Sequence, residues 1–91
     1  MISINELYLA ATLLAYGAKL EDIDKTDKKR QKFIFSEDPI EEIWVQSGHS
    51  ILRIENPNIE TIKTKFIAGV LVFPPNFVDA IRKVKSAIHG V

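Results

Sequence analysis

The residues here that could carry a reaction are few and scattered. The stretch Ser47-Gly48-His49-Ser50 sets a histidine beside two serines. A hydroxyl nucleophile needs a base within hydrogen-bond reach, and neighbours on a loop seldom share that geometry, so a surface loop accounts for the stretch better. The G-x-S-x-G pattern of a nucleophile elbow is absent. Glu41 and Glu42 could form half of an acid–base pair, but behind Asp38-Pro39 they also suit the positive end of a helix. His49 and His89 are the histidines, cysteine is absent, and no H-x-x-x-H, C-x-x-C or EF-hand spacing occurs. Neither a metal site nor a cofactor is expected, and with no Gly-rich phosphate loop the chain does not read as an enzyme.

The remaining chemistry is that of charge. Lys28, Lys29, Arg30 and Lys32 cluster in one polar stretch, and Arg82, Lys85 and His89 follow one helical edge. Flexible cations suffice for phosphate contacts, and Tyr8, Tyr16 and Trp44 could stack on unpaired bases. Two facts oppose that reading. Glu21, Asp22, Asp24 and Asp27 adjoin the first cluster, leaving residues 21–32 at +1. Cations near the end of a helix also satisfy its negative pole without any ligand.

The whole chain of 91 residues has a net charge of zero, 46% hydrophobic and 26% charged residues, as an ordinary globular domain does. A dedicated duplex binder carries a basic footprint that is missing here. The charge is nonetheless split: residues 37–60 hold six carboxylates against Arg53, a local sum of −5. Such a dipolar surface fits a protein partner or self-association. The longest apolar run, residues 7–16, is too short for a bilayer, which takes about 20 residues. Residues 1–6 contain no Lys or Arg, so no secretory leader is expected. The expectation is one soluble domain over residues 1–91, cytoplasmic and off the membrane.

Several elements must position these groups. Ser3-Ile4-Asn5-Glu6 has the S-x-x-E form of a capping box, with Asn5 as an alternative N-cap. It opens a helix in which Leu7, Ala10, Ala11 and Leu14 make one face, with Leu9, Leu13 and Tyr16 on the other, and Gly17 closes it. An apolar surface nearly all round predicts burial on most sides, with one side left for an oligomer contact. Residues 19–25 and 32–36 read as strands joined by a four- or five-residue loop. Asp38-Pro39 with Ile40, Ile43 and Trp44 predicts a second helix ending at Ser47-Gly48. Residues 50–55 read as a strand, Asn56-Pro57-Asn58 opens a helix carrying Ile59, Ile62, Phe66 and Ile67 with Gly69 closing it, and Val70–Phe73 reads as a four-residue strand. After Pro74-Pro75 comes a last helix with the stripe Phe77, Ile81, Val84 and Ile88, closed by Gly90.

The expected architecture is a two-layer α+β domain of order α-β-β-α-β-α-β-α, with a small, partly antiparallel sheet.

Three blocks, ELYLAATLLAYGAKL (6–20), KFIF (32–35) and FIAGVLVFPPNFVDAIRKVK (66–85), together resemble a family of small domains found mainly in bacteriophage genomes. Gly69, Val72, Pro74, Phe77 and Ala80 fill its G-x-x-V-x-P-x-x-F-x-x-A pattern, with Lys83 or Lys85 following. The resemblance covers about two thirds of the chain and leaves residues 37–58, with Trp44, as an insertion. It implies a compact α+β fold and a viral or mobile-element origin, and it implies no activity. In a phage setting the chain would act in the host cytoplasm.

The expectation is a non-enzymatic accessory protein that works by protein–protein contact, self-associating as a homodimer through Leu7, Tyr8, Ala11 and Leu14. The alternative is a weak nucleic-acid binder using Lys28, Lys29, Arg30 and Lys32, with Arg82 and Lys85.

Overall fold

The apolar run behind Glu6 folds as helix α1 (Leu7–Ala15) in the computed structural model of the chain, which describes residues 2–26, 31–37 and 40–88. Its cap differs from the capping box expected at Ser3 or Asn5. Glu6 is the N-cap, with extended backbone, and its carboxylate accepts from the Tyr8 N–H at 3.0 Å and the Leu9 N–H at 2.7 Å. Ser3 is committed elsewhere, because Ile2–Ile4 forms strand β1. Thr12, the polar interruption of the run, is fully buried and donates to the Tyr8 carbonyl one turn back at 2.7 Å. Gly17, at φ 98°, turns the chain out of the helix.

Strands β2 (Leu20–Asp24) and β3 (Lys32–Phe35) pair antiparallel, as the two runs predict. The sheet gains a member that the sequence did not announce. β1 lies along the other edge of β3, with Ile2 opposite Phe35 and Ile4 opposite Phe33, for an order β1-β3-β2. Three residues are too short to show a period, which is why only pairing reveals them.

The second correction is larger. Of the helix expected from Asp38 to Ser47, Glu42–Ser47 is a strand, β4, hairpinned to β5 (Ser50–Glu55), while Asp38 and Pro39, its expected cap and first residue, lie outside the described residues. Ile40, Ile43 and Trp44 mimic helical spacing, but Ile43 and Val45 are buried while Trp44 and Gln46 face out, a period of two. β-Branched and aromatic residues favour that pleated surface. Ser47-Gly48, read as a helix end, is the entry to a two-residue loop, and Gly48 at φ 59° supplies the positive φ that such a loop requires.

Helix α2 (Ile59–Ala68) starts at Asn58, whose side chain accepts from the Thr61 N–H at 2.7 Å, and stops at Gly69 with φ 75°. The strand expected at Val70–Phe73 is reduced to a bridge between Leu71 and Val45 on the free side of β4. Helix α3 (Phe77–Ile88) follows Pro74-Pro75, with the Phe77 N–H donating to the Pro74 carbonyl at 3.0 Å. Gly90 and His89 lie outside the described residues.

The chain is thus an α+β domain, with three helices and two antiparallel sheets among the described residues. The observed order β-α-β-β-β-β-α-α replaces the expected one, because β1 is added, β4 takes the place of a helix, and Val70–Phe73 is left as a bridge rather than a strand. Helix α1 packs chiefly on α3 and touches α2 and β1. The core joins Leu13 of α1, Phe35 of β3, Ile43 of β4, Ile62 of α2 and Val84 of α3, all fully buried. Residues 37–58, set apart by the family resemblance, therefore supply Ile40, Ile43 and Val45 to the core of this domain.

Candidate functional site

The proposed α1 contact face is only partly open. Ala11 is fully buried, Leu7 and Leu14 are half-buried against the core, and Tyr8 alone of the four is exposed. Packing on α3 explains most of this helix's apolar surface.

Of the basic set, Lys28, Lys29 and Arg30 lie outside the described residues. Lys32 is exposed at the start of β3, opposite Asp24. Hydrogen bonds from Thr26, with a smaller contribution from the Lys32 charge, hold the Asp24 carboxyl below its usual value. Arg82 and Lys85 are exposed on α3, and Arg82 stands 3.9 Å from Asp79. His49 sits on the exposed β4–β5 loop, and the described residues hold no cluster of metal-ligating side chains.

Sequence reasoning missed the most structured surface feature. It is a cleft of about 590 Å³ between the C-terminal end of α1, the start of β4 and the Phe73-Pro74-Pro75 segment. Its key is Tyr16. The Val72 N–H donates to the Trp44 carbonyl at 2.8 Å, as an antiparallel pair should. The return bond, Trp44 N–H to Val72 carbonyl, is replaced by a relay. The Trp44 N–H reaches the Tyr16 hydroxyl at 3.3 Å, and that hydroxyl donates to the Val72 carbonyl. Tyr16 is a wedge that ends the ladder and holds the two segments apart where the cleft begins. Burial pushes its phenol above the ordinary value, while the hydrogen bond with the Trp44 backbone pulls the other way.

Phe73 forms one wall. It is half exposed yet held by two rings, Phe77 at 4.6 Å and Phe66 edge-on at 6.4 Å. Trp44 forms another, 39% exposed on the outer face of β4. Glu41 and Glu42 stand among the lining, which contains no cation. Glu42 is paired with Arg53 across the hairpin, and Arg53 also meets Glu55 at 3.1 Å. Aromatic walls with carboxylates recognise cations. A sequence signal did exist: Trp44 just behind Glu41 and Glu42, and an aromatic ahead of a double proline. Only the strand assignment brings them together.

The second feature is the outer edge of β5. The bonds from Gln46 N–H to the Val70 carbonyl and from Val72 N–H to the Trp44 carbonyl turn residues 44 and 46 away from β5. Their cross-strand partners, Arg53 and Ile51, with Glu55 opposite Glu42, therefore point backbone N–H and C=O groups outward. Ile51 and Leu52 beside them are 60% and 50% exposed, one on each face.

No helix among the described residues is long and apolar enough to cross a membrane. No family model, curated protein or solved structure matches the chain.

Proposed function

We propose that this chain is a small, non-enzymatic accessory protein of phage type that works by protein–protein contact and self-associates by antiparallel pairing of β5. The observation that carries this reading is the open edge of that strand, with three residues' main-chain groups directed outward and two large apolar side chains beside them. Such an edge is a template for another strand. A second copy is the occupant its charges fit. Antiparallel two-fold pairing sets outward-pointing residues opposite one another. The register centred on Ile54, which overlaps residues 53–55, places Arg53 opposite Glu55 of the second copy, twice over, so that each pair would form in place of the Arg53–Glu55 pair within one chain. Opposite charges directly across a pair favour that register, and the chain's zero net charge opposes no self-contact. The resemblance of α1 and the final helix to bacteriophage domains agrees with an accessory role in a host cytoplasm. The nucleic-acid alternative has less support, since Asp79 stands beside Arg82 and Asp24 faces Lys32.

The test is sedimentation between about 10 μM and 1 mM, a range in which weak dimers dissociate and re-form. The wild type should dimerise with concentration. Arg53→Glu and Glu55→Arg should each be monomeric, and an equimolar mixture of the two should dimerise again. A wild type that stays monomeric throughout, or a mixture that does, defeats the reading.

A further inference from the structure

We propose that the Tyr16–Trp44–Phe73 cleft binds an arginine side chain of a peptide. This goes beyond self-association, because no lining residue belongs to β5. Three observations converge on a planar cation. Trp44 and Phe73 are each exposed at the cleft, and Phe73 is fixed by Phe66 and Phe77, so an aromatic wall stands ready without ordering on binding. Guanidinium planes stack on such faces. Glu41 is exposed and has no ion pair among the described residues, whereas the Glu42 carboxylate is already taken by Arg53. A carboxylate beside an aromatic face matches the fork of a guanidinium, which it can bind through two parallel hydrogen bonds.

The surroundings agree. Glu41, Glu42 and Glu55 against Arg53 leave this corner at −2, within a segment that sums to −5. A concave site lined by one sign of charge concentrates the opposite sign. The wedge at Tyr16 keeps the entrance open by denying residues 44 and 72 their second backbone bond, and Pro74 and Pro75 offer no N–H that would compete for the carboxylates.

Trp44 is the single tryptophan and lines this cleft, so its emission reports on it. Titration with a blocked Gly-Arg-Gly peptide should shift that emission saturably. The citrulline peptide, identical in shape and uncharged, should bind about tenfold more weakly or worse, the worth of one charge-assisted hydrogen bond. Glu41→Gln, a near-isosteric change at an exposed site, should weaken the arginine peptide by a similar factor, and calorimetry on Phe73→Ala should show a comparable loss. No saturable shift with the arginine peptide, equal binding of arginine and citrulline, or unchanged affinity in Glu41→Gln each overturns the proposal.

Discussion

Strands β3 and β5 are both rich in apolar residues, KFIF in one and SILRIE in the other, but they live in opposite surroundings. β3 lies between β1 and β2, and its Phe33 and Phe35 are 2% and 0% exposed. β5 has β4 on one side and nothing described on the other, and only Ile54 among its apolar residues is half-buried. A phenylalanine on β3 is held by a strand on each side and by the shared core that it enters. An isoleucine on β5 has one neighbouring strand and water. The same residue class is therefore structural in one place and available for contact in the other. What separates them is the number of covered sides.

This contrast can be tested by truncation at each strand. Phe35→Ala removes a fully buried ring and should cost about 3–5 kcal/mol, a large share of the stability of so small a domain. Chemical denaturation should show a midpoint far below the wild type, or no cooperative fold. A folded variant within about 1 kcal/mol of wild type would mean the β3 face is not the core.

Tyr16 sits between the two regimes, and Tyr16→Phe should cost about 1–2 kcal/mol, because the Trp44 N–H and Val72 carbonyl lose their shared partner. The sign of its pH dependence follows from the shift. The folded pKa lies above the ordinary 10.0, so the neutral phenol is favoured in the fold. Its contribution is intact below about pH 10 and is lost as pH rises through the higher folded value. Alkaline denaturation should be steeper in the wild type than in Tyr16→Phe, and parallel curves would remove the wedge from the account.

Smallest is Leu52→Thr, which should alter monomer stability by no more than about 0.5 kcal/mol, since half of that side chain is already in water. Its effect should fall on sedimentation instead. A stability loss as large as that of Phe35→Ala would show β5 to be covered from within, and the comparison would collapse.

Much of the frame was legible in advance. Helix α2 and helix α3 carry an N-cap or a proline entry and a clear stripe, and both form where the sequence places them. The β2–β3 pair is likewise local, two apolar runs around a polar turn. β4 was not legible, because Ile40, Ile43 and Trp44 satisfy a period of 3.6 and Ile43 with Val45 satisfies a period of two. Short apolar runs carry both signals at once. The cleft was invisible for a related reason: Tyr16, Trp44 and Phe73 are 28 and 29 residues apart, and nothing local ties them.

By itself the sequence determined what depends on neighbours along the chain. Such features are the α+β class, the two later helices and their ends, the β2–β3 hairpin, and the absence of cysteine chemistry, all set by propensity, capping and composition. Tertiary structure alone decided that residues 42–47 extend rather than coil, that Ile2–Ile4 is a strand, that a tyrosine hydroxyl interrupts a ladder, and that β5 is left uncovered. Each of those outcomes is a competition for partners distant in sequence. The winner is set by which backbone groups and apolar faces remain unpaired once the rest of the chain has packed.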